Sequence, residues 1–146
     1  MNLCFTETIK DYPGYLITRD GRVISLTRKV LTSKGNYMKV NGRILKHGND
    51  TCGYSSVVLC EKGKVKVCRI HRLVAEAFLL NPENKKEINH KDGNKQNNHL
   101  SNLEWSTRSE NCFHAYKELK RKLPKSAFKK GRKYAPRVKT LPESSN

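Results

Sequence analysis

Alternating apolar and polar residues dominate the first 70 positions of the chain, and this period of two predicts β-strands. Pairs of alternating runs flank residues that favour tight turns, which is the pattern of an antiparallel hairpin. The three predicted hairpins are GYLITRDGRVISL (14–26) around Asp20-Gly21, MKVNGRIL (38–45) around Asn41-Gly42, and GYSSVVLCEKGKVKVCRI (53–70) with a turn near Glu61 to Lys64. Residues 1–70 are therefore predicted to form a small, twisted antiparallel β unit.

Helical spacing replaces this alternation after residue 70. In HRLVAEAFL, residues 71–79, apolar side chains recur every three or four positions, and Pro82 ends the segment. The pattern predicts a short amphipathic helix that packs on the strands.

The polar region that follows is predicted to fold as strand, loop, strand and helix. Glu87 to His90 and Leu103 to Ser106 are predicted as short strands, with a long polar loop between them. Thr107 and Glu110 have the spacing of a capping box, which predicts a helix from about Arg108 to about Lys122. The predicted fold class is therefore α+β.

The length and charge of the chain indicate a small domain that binds a polyanion. The 146 residues suit one compact domain with a small extension, and 30 Lys and Arg against 13 Asp and Glu give a formal net charge of +17. This excess predicts a polyanionic partner, most simply nucleic acid, with an anionic membrane surface as the weaker alternative. No apolar run is long enough to span a membrane and no signal-peptide layout is found, so a soluble cytoplasmic protein is predicted.

The five cysteines include no C-x-x-C pair, so neither a disulfide framework nor a zinc ribbon is predicted. Cys68 and His71 have ligand-like spacing, which keeps a zinc-stabilised regulator as a minor alternative. The tail, 123–146, is rich in Lys, Arg and Pro and is predicted to be a flexible arm that orders on a polyanion.

Candidate chemistry lies in INHKDGNKQNNHLSNLEWSTRSENCFHA, residues 88–115. His90 ends the first predicted strand, and loop closure is expected to bring the Asn102 amide against its imidazole, fixing the ring as a general base requires. Asn111 lies early in the predicted helix, and His114, on the same helical face, is expected to point toward His90 as well. This arrangement suits metal-assisted hydrolysis of a phosphodiester.

A hard divalent cation is the cofactor that this chemistry predicts, with Mg²⁺ favoured and Mn²⁺ as the alternative. Mg²⁺ takes few protein ligands, keeps several waters and binds phosphate oxygens. Asn111 is the first candidate ligand and Asn89, beside the base, is the second. Zinc is not favoured.

These residues carry a family resemblance. His90, Asn102 and Asn111, with the NHKDGNKQNN loop and the NLEWSTRSEN run, resemble the HNH, or ββα-metal, endonuclease motif. Upstream, YPGYLITRDGRVISL resembles the NUMOD4-like module often attached to HNH homing endonucleases of phages and mobile introns. The resemblance covers about residues 8 to 117.

The resemblance implies a domain plan and a role for each site residue. The plan is a NUMOD4-like β-rich module (1–70), a helix followed by the HNH ββα-metal finger (71–122), and the basic tail (123–146). It implies that His90 is the general base, that Asn102 orients it, and that Asn111 is a metal ligand. His114 is implied to assist at the metal or phosphate, with a structural histidine as the alternative.

One position departs from part of the family, because Asn89 stands where some relatives carry Asp, and a neutral amide binds Mg²⁺ more weakly than a carboxylate. Two hypotheses therefore remain: a homing-type DNA endonuclease, acting in the host cytoplasm if encoded by a phage, and a basic nucleic-acid-binding protein with weak or lost cleavage. The first predicts double-stranded DNA as partner and the second predicts DNA or RNA; the sequence leaves the oligomeric state open, with a monomer favoured. The predicted DNA contacts are Lys91, Lys95, Arg108, Lys120, Arg121, Lys129, Lys130, Arg132 and Lys133.

Overall fold

The computed structural model describes residues 5–117. Within that range the chain forms eleven short strands and two α-helices, in an order that runs from an all-β half to a mixed half. The elements are β1 (Thr6–Ile9), β2 (Tyr12–Thr18), β3 (Val23–Ser25), β4 (Arg28–Leu31), β5 (Tyr37–Val40), β6 (Arg43–Ile44), β7 (Gly48–Asn49), β8 (Ser55–Glu61), β9 (Lys64–Arg69), α1 (Ile70–Phe78), β10 (Glu87–His90), β11 (Leu103–Ser106) and α2 (Arg108–Lys117).

The strands of the first half pair antiparallel, as predicted, but they form three sheets instead of one unit. The sheets have the orders β1-β2-β3-β6, β4-β5 and β7-β8-β9. Strand β1 was not predicted, because its sequence, TETI, is polar and only Ile9 at its end is fully buried. It is held by backbone pairing with β2.

Two of the three predicted hairpins are confirmed. β2 pairs with β3 across the Asp20-Gly21 turn, where Gly21 has φ of 84°, a conformation that glycine adopts without steric cost. β8 pairs with β9 around Lys62 and Gly63, which have φ of 49° and 77°, the two positive angles of a tight primed turn.

The hairpin predicted around Asn41-Gly42 is wrong. β5 pairs with β4 and β6 pairs with β3, so this dipeptide connects two different sheets. The Gly42 amide donates a hydrogen bond to Thr27 Oγ1 (2.8 Å), which places the turn beside the start of β4. A turn signal marks a change of direction, but tertiary packing decides which strands pair.

The hydrophobic core joins the two halves of the chain. Side chains from the first sheet, from β8 and from β10 and β11 meet the apolar stripe of α1, whose extent agrees with the prediction to within one residue at each end. The fully buried members include Ile17, Leu59, Ile70, Val74 and Leu103. The predicted boundary at residue 70 thus falls inside a shared core. No helix of residues 5–117 combines the length and apolarity needed to cross a bilayer.

The region around the candidate site follows the predicted order. β10 and β11 have the predicted bounds and pair antiparallel, with His90 opposite Leu103 and Asn89 opposite Glu104. Within the predicted loop, Leu100–Asn102 form a single 3₁₀ turn. α2 begins at Arg108 as predicted, and the predicted end near residue 122 lies outside the described range.

The capping box at the start of α2 is confirmed. The Glu110 amide donates to Thr107 Oγ1 (3.2 Å), and the Thr107 amide donates to Glu110 Oε2 (2.8 Å). These two bonds satisfy backbone donors that a helix N-terminus leaves unpaired. They also fix the first turn of the helix that carries Asn111.

We expect Thr107→Ala to lower the free energy of unfolding by about 1 kcal/mol, because the Oγ1 acceptor of the cap is lost. Urea denaturation followed by circular dichroism measures the change. Thr51→Ala is the matched control, since Thr51 is exposed and makes no side-chain hydrogen bond within residues 5–117. Equal losses in the two variants would contradict a stabilising cap.

Candidate active site

One shallow cleft brings together the predicted base and both predicted metal ligands. Asn89 and His90 at the end of β10 and Asn111 on α2 line the same opening. The other lining residues are Tyr54, Ile88, Gly93, Lys95 and Ala115. Asn111 reaches the cleft because the capped helix starts directly after β11 and packs over the β10-β11 ribbon.

Each amide in the cleft is held by a carboxylate. Asn89 Nδ2 donates to Glu104 Oε1 (2.7 Å) across the strand pair, and Asn111 Nδ2 donates to Glu87 Oε2 (3.0 Å). A carboxylate at neutral pH only accepts hydrogen bonds, so the NH₂ group of each amide must face its glutamate. Among the hydrogen bonds of residues 5–117, none ends on the Oδ1 atom of either asparagine.

The His90 ring lies in an aromatic cluster with Tyr54 and His71. The ring centroids of His71 and His90 are 5.1 Å apart in an edge-to-face arrangement, and Tyr54 lies 4.8 Å from His71 and 5.9 Å from His90. His90 Nε2 is buried and has no hydrogen-bond partner among the described residues. Packing against Tyr54 and His71, together with a side-chain hydrogen bond to Asn98, therefore fixes the plane of this ring.

Burial lowers the pKa of the His90 imidazole, because a charged ring loses hydration there. A hydrogen bond with the Asn98 side chain and the negative charge of Asp92 raise this pKa, whereas the positive charge of Lys95 lowers it. The net shift is downward, so the neutral ring, which can accept a proton, is the form present at neutral pH.

His71 is the most strongly perturbed of these groups. It is 5% exposed, and burial, followed by the nearby His90, lowers its pKa to about 3. Its Nδ1 atom has no hydrogen-bond partner among residues 5–117. Cys68, its partner in the zinc alternative, is half-buried, and burial raises the pKa of its thiol.

The predicted contact between Asn102 and His90 is not made. Asn102 Nδ2 donates to Asp92 Oδ1 (2.9 Å) and to the Asn97 carbonyl (2.8 Å), while its Oδ1 accepts from the Asp92 amide (3.1 Å). The amide is thus occupied by the turn that follows His90. Because the Lys91 amide also donates to the Asn102 carbonyl (2.9 Å), Asn102 holds the backbone next to the base instead of its ring.

His114 does not join the cleft as predicted. Asn111 and Ala115, four residues apart on one helical face, line the opening, and His114 is not among the lining residues. Its Nδ1 atom is buried without a hydrogen-bond partner among the described residues. His114, three residues after Asn111, lies near the same helical face, but Ala115, four residues after it, is the residue that faces the cleft.

The predicted DNA contacts fall into two groups. Lys95 lines the cleft, where its Nζ donates to the Cys52 carbonyl (2.8 Å) and lies 4.6 Å from the centre of the Tyr54 ring. Lys91 donates to the Ser101 carbonyl (3.0 Å), and Arg108 is exposed at the start of α2. The remaining contacts lie outside the described residues: Lys120, Arg121, Lys129, Lys130, Arg132 and Lys133.

Four residues of the site were not assigned to it from the sequence. Glu104 could have been found, since the predicted strand pair places it opposite Asn89. Glu87 lies on the same face of β10 as Asn89, two positions away, but its bond to Asn111 depends on where α2 packs. Tyr54 and His71 enter from the first half of the chain, and no local pattern signals their contact with His90.

Fold and site together define an α+β protein in which a strand, loop, strand and helix carry a buried neutral histidine and two carboxylate-anchored amides in one cleft. Residues 68–112 match the family model described as HNH endonuclease. This segment belongs to the HNH endonuclease family. The match begins at Cys68, so the NUMOD4-like assignment of residues 1–70 stays a prediction.

Comparison with individual proteins also finds endonucleases. The chain is 41% identical over 104 residues to the uncharacterized HNH endonuclease L245 of Acanthamoeba polyphaga mimivirus, covering 71% of the chain and 28% of that protein. It is 36% identical over 106 residues to the DNA endonuclease I-HmuI of Bacillus phage SP01, covering 72% and 53% respectively. The chain thus spans about a quarter to a half of the length of these relatives.

A solved structure has a similar fold. The structure described as DNA binding and cleavage by the HNH homing endonuclease I-HmuI superposes with a TM-score of 0.66 at 32% sequence identity. The similarity covers 84% of this chain and 63% of that chain. It therefore extends over the β-rich half as well as the HNH segment.

Proposed function

We propose that this protein is a divalent-metal-dependent DNA endonuclease of the HNH homing type, which hydrolyses phosphodiester bonds of double-stranded DNA. The observation that carries the proposal is the single cleft in which His90, Asn89 and Asn111 meet. The names of the relatives, a DNA endonuclease among them, support the same reaction class.

His90 is the general base of the proposed reaction. Its neutral ring, which lines the cleft and packs against His71 and Tyr54, takes a proton from the attacking water. Asn102 acts indirectly, because it holds the turn that follows His90. Lys95, at the edge of the cleft, is placed to contact a phosphate oxygen.

The donor groups of the cleft fit a hard divalent cation. Amide oxygens are ligands of Mg²⁺, and the carboxylates of Glu104 and Glu87 stand directly behind the two amides. Within the described range, no three His, Cys, Asp or Glu side chains converge on one point, so an all-protein cage is not formed there. A bound Mg²⁺ would neutralise charge that develops on the phosphate, with Asn89 and Asn111 holding it.

The basic surface supplies the proposed affinity for DNA. The net charge of +17 favours a polyanion, and contacts to phosphates position the duplex without reading its sequence. We assign these contacts to the predicted set: Lys91, Lys95, Arg108, Lys120, Arg121, Lys129, Lys130, Arg132 and Lys133. We also propose a monomer, the oligomeric state favoured from the sequence.

A second candidate function is a basic nucleic-acid-binding protein on the same fold. One observation favours it: Asn89 is a neutral ligand, and it binds a metal ion more weakly than a carboxylate at this position would. Under this alternative the cleft persists but cleavage is feeble or absent.

Incubation of supercoiled plasmid with the protein separates the two candidates. We expect nicked or linear product with Mg²⁺ or Mn²⁺ and none with excess EDTA, because the cation would hold and neutralise the scissile phosphate. Gel electrophoresis measures the products, and a mobility-shift assay in EDTA measures binding alone. Retardation of DNA without cleavage under either metal would overturn the nuclease in favour of the binding protein.

A further inference from the structure

We infer that Glu104 and Glu87 are positioning residues that fix which end of each cleft amide faces the metal ion, and that Asn89 and Glu104 form a matched donor–acceptor pair. The inference rests on the proposed function for its metal readout. The pairing itself is a property of the fold and can be tested without metal.

The two ends of an amide side chain are nearly alike in shape but differ in chemistry. An asparagine side chain can rotate by half a turn and exchange its oxygen with its NH₂ group at little cost, since the two ends have nearly the same shape. Only the oxygen can coordinate a cation. A metal site built from amides therefore needs something that selects one of the two orientations.

The two glutamates make this selection. Glu104 Oε1 accepts from Asn89 Nδ2 at 2.7 Å, and Glu87 Oε2 accepts from Asn111 Nδ2 at 3.0 Å. A rotated amide would set its oxygen against a carboxylate oxygen at that distance, which is repulsive. The carboxylates also polarise the amides, as outer-shell partners of metal ligands do.

The same geometry explains why asparagine suits position 89 in this chain. Asn89 is 5% exposed and lies directly opposite Glu104 in the β10-β11 pair. An aspartate there would place two carboxylates in contact with little water between them, and neither could donate a hydrogen bond. If position 104 carried glutamine, its NH₂ group could donate to that aspartate, and the pair would be restored with reversed polarity.

The first experiment is a double-mutant cycle on stability in EDTA. Its variants are Asn89→Asp, Glu104→Gln and the combination of both. We expect Asn89→Asp to lower Tm at pH 8 by on the order of 5 °C, and the added Glu104→Gln to recover most of that loss. Glu7→Gln, at an exposed strand position, is the control for removal of a glutamate charge, and adding it to Asn89→Asp should recover nothing.

The second experiment measures Mn²⁺ affinity from the electron paramagnetic resonance signal of the free ion. Glu104→Leu removes the acceptor, and we expect it to weaken binding by about tenfold or more. Glu104→Gln keeps an acceptor oxygen at the same reach, so it should restore much of that affinity, which a purely electrostatic role would not allow. The same two substitutions at Glu87 test Asn111.

The outcomes separate the inference from the proposed function. Saturable Mn²⁺ binding by the parent chain with unchanged affinity in Glu104→Leu would overturn the positioning role. A double variant no more stable than Asn89→Asp would overturn the matched pair. If the parent chain binds no Mn²⁺, the proposed metal-dependent function and the positioning role fail together, while the cycle in EDTA still decides the pairing.

Discussion

Replacement of His90 by alanine is expected to reduce the rate of DNA cleavage by about 10²- to 10⁴-fold, the usual contribution of a general base. Among the residues that line the cleft, His90 is the one histidine, and its neutral ring is the group suited to take a proton from water. DNA affinity should change little, since contacts to phosphate come from basic side chains elsewhere. Single-turnover cleavage in Mg²⁺ measures the rate, and a mobility shift in EDTA measures the affinity.

The matched control for this variant is His47→Ala. His47 is an exposed histidine of the β half that makes no side-chain hydrogen bond within residues 5–117, so its removal should leave both the rate and the affinity unchanged. Cleavage by His90→Ala at the parent rate would exclude His90 as the base. Tyr54 and Lys95 would then be the remaining titratable side chains among the residues that line the cleft.

Local sequence signals predicted most of the fold because most of its elements are set by local physics. The bounds of β10 and β11 follow from short segments with spaced apolar residues on either side of a polar loop, and the start of α2 follows from the Thr107–Glu110 cap. The pairing of β5 could not be predicted in this way. Asn41-Gly42 has the composition of a hairpin turn, yet β5 finds its partner in β4, a choice that depends on contacts far apart in the sequence.

In the candidate site, too, the residues placed by local order were predicted, and those placed by tertiary packing were not. His90, Asn89 and Asn111 were predicted, because the order of strand, strand and helix brings them together. The contact from Asn102 to His90 was wrong because the amide finds nearer partners in its own turn. Tyr54 and His71 could not be predicted, since they approach from the β half through tertiary packing.

These tertiary contacts cross the predicted domain boundary at residue 70. Tyr54 precedes β8 and lines the cleft, and the Cys52 carbonyl before it accepts a hydrogen bond from Lys95. The β half thus forms one wall of the candidate site and supplies part of the support for its base. A chain cut at residue 70 would lose that wall together with half of the shared core, so the HNH segment of this protein depends on the strands that precede it.

The aromatic cluster predicts a pH-dependent stability. The free energy of unfolding should fall as the pH decreases from about 6.5 toward about 3, because the unfolded chain binds a proton at His71 with an ordinary pKa and the folded chain does so only near 3. The stability that neutral, buried His71 provides is complete above pH 6.5 and is lost across that window. The upper bound on the loss is on the order of 5 kcal/mol.

Urea denaturation in EDTA at about pH 7.5, above the window, and at about pH 5.5 and 4.5, within it, measures how stability changes with pH. His71→Phe keeps a ring against Tyr54 and His90 but cannot bind a proton, so its stability should depend less steeply on pH than that of the parent. Some dependence should remain, because the pKa of His90 is lowered as well. His47→Phe, at an exposed position, should keep the parental slope, and an equal slope in His71→Phe would mean that His71 is not the buried neutral group that the cluster requires.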